Sequence, residues 1–192
     1  MEWNGPAFDP KSKTIYVPTV DWCAHYTTTT EKAVFQPGGL YMGTSYTPTS
    51  DSASGWLTAV DAQSGAVKWK YHTPQPDVAG VTPTAGGIVL NGDLAGNLYA
   101  FDAATGKVLL DYKLPGAVAG GVITYAVGGK QYVAATAGNI SRTTFKTAGS
   151  PTLVILSLGV QGSARDTTLS AVPVATDSAK VPPPTKPGDR KQ

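Results

Sequence analysis

Twenty consecutive residues of this chain, GWLTAVDAQSGAVKWKYHTP from Gly55 to Pro74, return 41 residues later as GNLYAFDAATGKVLLDYKLP from Gly96 to Pro115. The match is positional: Leu57 with Leu98, Ala59 with Ala100, Asp61 with Asp102, Gly65 with Gly106, Val67 with Val108 and Tyr71 with Tyr112. A unit of this size cannot bury its apolar face alone and must stack on its neighbours. A period near 40 residues suits one four-stranded blade of a β-propeller.

Each copy reads as a hairpin. Leu57 and Ala59 alternate on one arm, Val67, Trp69 and Tyr71 on the other, and a tight turn lies between them. Asp61 and Asp102 suit the start of the turn, where a short carboxylate accepts backbone N–H groups, and Gly65 and Gly106 take a positive φ at little cost. Both aspartates are therefore read as turn residues rather than as acids or bases. Three further strand patterns, TIYVPTV at 14–20, GIVLNGD at 87–93 and KQYVAATAG at 130–138, read as the inner strands of the blades. Small residues near them (Ala79, Gly80, Gly120, Gly121, Ala134, Ala135) fit strands converging on a crowded axis. Residues 23–54, rich in Thr, Gly and Ser, read as a loop excursion. PTLVILSLG at 151–159 is strongly apolar and reads as a last buried strand.

The fold class expected is all-β: a partial propeller of antiparallel four-stranded sheets over residues 1–159. Residues 160–192 shift to Ser, Ala, Thr, Pro and Lys, with the run Val181-Pro182-Pro183-Pro184, and read as a disordered tail. The 22 Gly, 15 Pro and 15% charged residues favour short strands and tight turns over long charged helices. A net charge of +2 spread over isolated Lys and Arg gives no electrostatic footprint for nucleic acid. Cys23 has no internal disulfide partner, no apolar run reaches the length of a membrane span, and the opening residues are unlike a secretory signal.

The hairpin pattern A-x-D-x-x-[ST]-G-x-x-x-W, met by Ala59, Asp61, Ser64, Gly65 and Trp69, resembles the tryptophan-docking motif of quinoprotein dehydrogenase propellers. The second copy, Ala100, Asp102, Thr105 and Gly106, has Leu110 in place of the indole. The opening from Glu2 to Pro10 with TIYVPTVDWC is similar to the segment of that family that reaches the pyrroloquinoline-quinone (PQQ) site. VAGVTPTAGGIVLNGDLAGNLYAFD and ITYAVGGKQYVAATAG are similar to its last blades, in the expected order. From Glu2 to Gly159 the chain resembles the late blades of an eight-bladed PQQ-dependent alcohol dehydrogenase.

The resemblance implies PQQ as cofactor, with Ca²⁺ or a lanthanide. It places Glu2, Trp3, Asn4 and the backbone of Ala79 and Gly80 as cofactor-binding candidates. The family's Asn-Trp pair is replaced here by Glu2-Trp3-Asn4, and an ionised Glu2 repels a planar tricarboxylate unless a cation intervenes. Asp77-Val78-Ala79-Gly80 has no tryptophan where the family sets an indole against the cofactor rim. The metal ligands and the aspartate base are expected outside this chain, so no catalytic or metal-binding residue is assigned within it. The partners implied are the remaining blades of a parent chain and a cytochrome c electron acceptor, in the periplasm.

Other chemistries find little support. His25 and His72 lie 47 residues apart without Cys or Glu at zinc-ligand spacing, and no G-x-S-x-G or G-x-G-x-x-G occurs. Asp51, Asp61, Asp77, Asp93, Asp102 and Asp111 each sit by a turn or strand end. Two function classes remain: a dehydrogenase fragment that is inactive alone, and a cofactor-free propeller scaffold of the outer-membrane-assembly lipoprotein type. The retained W-N-G-P opening and Asp21-Trp22-Cys23 favour the enzyme.

Overall fold

The computed structural model describes residues 5–28, 30, 34, 37–38, 44–48, 53–138 and 150–157. Among these residues there is no helix. Thirteen strands follow in order: β1 (Ala7–Asp9), β2 (Thr14–Asp21), β3 (Ala24–Thr28), β4 (Thr44–Pro48), β5 (Ser54–Asp61), β6 (Val67–Thr73), β7 (Thr82–Pro83), β8 (Ile88–Gly92), β9 (Asn97–Asp102), β10 (Val108–Lys113), β11 (Val118–Val127), β12 (Lys130–Ala137) and β13 (Thr152–Ser157). They form two four-stranded sheets, β1-β2-β5-β6 and β7-β8-β9-β10, one three-stranded sheet, β11-β12-β13, and one two-stranded ribbon, β3-β4. Every pairing is antiparallel. The propeller class is thus the observed one.

The sheets stack face to face, and their burial patterns record it. In the middle sheet Val89, Tyr99 and Phe101 point to the first sheet, joining Tyr16, Leu57, Ala59 and Trp69. Their neighbours Leu90, Leu98 and Ala100 point the other way, joining Val118, Val122, Ala135 and Val154 of the third sheet. Successive side chains of a strand face opposite ways. β8 and β9 are therefore buried almost residue by residue, while β2 and β5 alternate buried with half-buried positions.

The repeat turns form as expected. Asp61 Oδ1 accepts from the backbone N–H groups of Gln63 (3.1 Å) and Ser64 (2.9 Å) and from Ser64 Oγ (2.9 Å). Asp102 Oδ1 does the same with Ala104 (3.1 Å), Thr105 N (2.8 Å) and Thr105 Oγ1 (2.7 Å). Gly65 and Gly106 hold φ values of 73° and 72°. Trp69 lies between the first two sheets, with Nε1 donating to the Ala103 carbonyl at 3.0 Å. Leu110, at the matching position of the middle sheet, is exposed.

Three expectations need correction. The strands at 14–20, 87–93 and 130–138 are second from the axis; the innermost are β1, β7 and β11, which approach one another. With two residues, one of them Pro83, β7 carries no alternation to read. The excursion at 23–54 holds the ribbon β3-β4, with Tyr26 opposite Tyr46. Its threonines and tyrosines are residues that favour strands as well as loops. The last strand, β13, buries only Val154 fully, while Leu153 and Ile155 are exposed because no sheet covers their face among the described residues. The expected tail at 160–192 lies outside the described residues.

Candidate cofactor rim

One end of the stacked sheets gathers the connections between them. Antiparallel register puts Asp21, Ser54, Gly55 and Thr73 at this end of the first sheet, Gly92, Leu98, Asn97 and Lys113 at this end of the second, and Val118 with Ala137 at this end of the third. The connections 74–81, 93–96 and 114–117 interlock there through backbone bonds: Leu94 N to Pro76 O (3.2 Å), Leu114 N to Gly96 O (2.8 Å), Val118 N to Asp93 O (2.9 Å) and Gly138 N to Ala117 O (2.9 Å). The repeat turns with Asp61 and Asp102 lie at the opposite end, so these aspartates cannot take part in chemistry here.

Of the candidates drawn from the sequence, Glu2, Trp3 and Asn4 lie outside the described residues. Ala79 is buried, its methyl group packed among Leu90, Val118 and Val122. Gly80 is half-buried, and its N–H is committed to the Gly120 carbonyl at 3.0 Å. A Cβ on Gly80 would sit 3.5 Å from Gly121 Cα, and one on Gly120 would strike the Thr136 hydroxyl. β11 is irregular between Val118 and Val122, which is how it brings Gly120 to Gly80.

In this glycine cluster by the axis, Thr136 fills the space over Gly120 and the Gly120-Gly121 backbone closes on Gly80, while the space beside Gly121 is open. Only Gly121 has open backbone that the edge of a planar group could approach, and the Gly80 N–H is already taken. Among the described residues no three His, Cys, Asp or Glu side chains gather to hold a metal ion. The histidines are not brought together: His25 is on β3, while His72, exposed on β6, packs edge-on against Trp56 at 4.6 Å.

Beneath the rim lies a buried polar group that the sequence reading missed. Asp77, Asn91 and Asp93 are buried, although Asp77 and Asp93 flank turns as expected. Asp93 is fully paired, accepting from Asn97 N (3.0 Å), Asn97 Nδ2 (3.1 Å) and Tyr99 Oη (2.9 Å). Burial, with Asp93 nearby, holds the Tyr99 phenol well above its ordinary range. Asn91 Nδ2 donates to Asp77 Oδ1 at 3.0 Å. Burial pushes the Asp77 carboxyl well above the carboxylate range, and the charge of Asp93 adds to it against the opposing bonds from Asn91 and the Ala79 N–H. The available signal was an Asn inside the apolar run of β8.

Stacked antiparallel sheets with short strands at a common axis define a β-propeller. The chain belongs to the PQQ-repeat family: the PQQ_2 profile, described as outer membrane protein assembly factor BamB, matches residues 53–152. It is 36% identical over 136 residues to the lanthanide-dependent methanol dehydrogenase of Methylorubrum extorquens, an alignment covering 69% of this chain and 22% of that protein. It is 33% identical over 138 residues to the quinoprotein ethanol dehydrogenase of Pseudomonas aeruginosa, covering 71% and 22%. A solved europium-containing methanol dehydrogenase superposes with a TM-score of 0.64 at 32% identity, over 70% of this chain and 24% of that one. The quinohemoprotein alcohol dehydrogenase from Comamonas testosteroni gives 0.64 at 26% identity, covering 71% and 22%. The chain spans about a fifth of the length of the curated relatives it matches.

Proposed function

We propose that this chain supplies late blades of a periplasmic PQQ-dependent dehydrogenase that oxidises an alcohol or polyol, and that it is inactive alone. The observation that carries the reading is the cluster of Gly80, Gly120 and Gly121, open beside Gly121, on the end where the inter-blade connections meet. PQQ, when bound with Ca²⁺ or a lanthanide, supplies a quinone that accepts hydride and a cation that polarises it.

This chain's own part is to shape and orient. Ala79 and Gly80 line the rim with backbone, and the bond from Gly80 N to Gly120 O keeps that edge rigid. Asn4 supplies a polar contact to the cofactor's oxygens and Trp3 apolar surface, while Glu2 is tolerated there only beside a cation. The metal ligands, the base that takes the alcohol proton and the docking face for a cytochrome c belong to the remaining blades. The exposed Ile123 and Ile155, flanking Ala134 on the outward face of the third sheet, support the existence of a covering blade.

The test is a dye-linked assay with ethanol, longer primary alcohols and polyols, in the presence of PQQ and Ca²⁺ or a lanthanide. The 192-residue chain should give no turnover, and a longer chain carrying the upstream blades should give it. Equal turnover by the two overturns the reading. A cofactor-free scaffold is the second reading, favoured by the assembly-factor description of the matched profile. It requires that neither chain bind PQQ.

A further inference from the structure

Among the described residues, two buried side-chain atoms have no hydrogen-bond partner: Asp77 Oδ2 and Asn91 Oδ1. They belong to the two residues already joined by the bond from Asn91 Nδ2 to Asp77 Oδ1. An ionised carboxylate is acceptor-only, so as a carboxylate Asp77 would leave both its own Oδ2 and Asn91 Oδ1 unanswered. One hydrogen satisfies both.

The geometry points to a single proton held between these residues: Asp77 Oδ2 carries it and donates it to Asn91 Oδ1, closing a two-bond acid–amide ring. Asp77 Oδ1 is the oxygen that already accepts a bond, so Oδ2 is where the hydrogen belongs. The surroundings agree. Val78, Leu94, Ala117 and Ala119 form an apolar cluster at this end, with Val20 packed on it, and Gly55 of β5 presses on the Asp77 backbone. The charged group acting on Asp77 is Asp93 at the end of β8, an acid that disfavours a second anion; β5, β7 and β11 bring no charged side chain to bear on it. Among the described residues no cation compensates an ionised Asp77.

The ring ties the connection 74–81, which links the first sheet to the second, onto β8 of the second. It makes the junction between blades dependent on a proton. Asp77 binds its proton more tightly folded than unfolded, so the stabilisation is complete below the unfolded value near 3.8 and is lost as pH rises through the higher folded value. Across that window the folding constant falls by up to tenfold per pH unit. This inference stands whether or not the chain binds PQQ.

The test compares the 192-residue chain with Asp77→Asn, which keeps the shape and replaces the O–H donor by an N–H. Near pH 7 the infrared spectrum of the native chain should show the carbonyl stretch of a protonated carboxyl that Asp77→Asn lacks. Urea unfolding at several values between pH 5 and 8 should show the variant gaining on the native chain as pH rises. A constant gap, with no protonated-carboxyl band in the native chain at neutral pH, overturns the proposal. So does a variant that fails to fold, since a neutral amide should be accepted. Selective stabilisation of the native chain by added Na⁺ or Ca²⁺ would also overturn it, assigning the two oxygens to a cation. Titration of the band in the native chain alone gives a reading independent of the variant.

Discussion

The indole of Trp69 occupies the space that a side chain on Gly106 would need: a Cβ built there would lie 2.6 Å from the indole Cδ2 and 2.8 Å from Cε3. Gly106 belongs to the repeat turn of the next sheet, so a glycine needed for its own turn also receives the preceding blade's tryptophan. Its counterpart Gly65 has nothing within 4 Å of its Cβ position.

The pair gives a matched comparison. Gly65→Ala should cost only the left-handed backbone, about 1–2 kcal/mol. Gly106→Ala carries the same φ penalty and also displaces the indole, so it should cost clearly more. Chemical denaturation of the two variants measures the difference, and equal costs would show that the indole is not seated on Gly106.

Trp69→Ala should lose about 3–5 kcal/mol, the usual cost of emptying a large aromatic site, because Trp69 also packs on Tyr16 at 5.7 Å and Phe101 at 5.9 Å. Trp69→Phe should lose less. The Ala103 carbonyl that accepts the indole N–H also accepts from Tyr16 Oη at 3.3 Å, so it is not left bare. Thermal unfolding of both variants checks the order.

Acid should weaken the repeat turns. Hydrogen bonds from Ser64 hold Asp61 far below the usual carboxylate range, with Lys68 at 3.2 Å adding to them, and those from Thr105 lower Asp102. A depressed folded pKa means stability that is present above about pH 4 and lost as pH falls through the folded value. Asp61→Asn should therefore flatten the acid limb of the stability profile, and a denaturation series from pH 6 to pH 2 reads it directly.

The third sheet separates its two faces sharply. Val122 is buried toward the middle sheet while Ile123 is exposed. In the 192-residue chain Val122→Lys should prevent folding, whereas Ile123→Lys should stay within about 0.5 kcal/mol of the native chain, as for an ordinary surface change. In a chain carrying a further blade, Ile123→Lys should become costly. Circular dichroism melts of the three variants beside their two parent chains distinguish these outcomes.

The repeat made the hairpins, the turn aspartates and the seat of Trp69 legible, because each depends on local spacing. β7 was invisible, since two residues have no period, and the β3-β4 ribbon was hidden by threonines that serve strands and loops alike. The run at 151–159 has the apolar content of a strand covered on both faces, as β8 and β9 are, but burial depends on what lies opposite. For the rim, Ala79 and Gly80 were singled out through likeness alone, and their cofactor role stands as a proposal. The Asp77–Asn91 pair was not, because its residues are 14 apart and meet only when the connection 74–81 folds onto β8.

The Trp69–Gly106 contact joins a tongue on one blade to a groove on the next, and the repeat motif encodes both parts in one hairpin. Copying such a unit copies a plug together with its socket, so a tandem duplication in the gene arrives already fitted to its neighbour. The second hairpin, with Leu110 where the first has its indole, shows that a unit without the plug still offers its socket to the blade before it. Arrays built this way can lengthen by whole units, and their joints can then diverge one at a time.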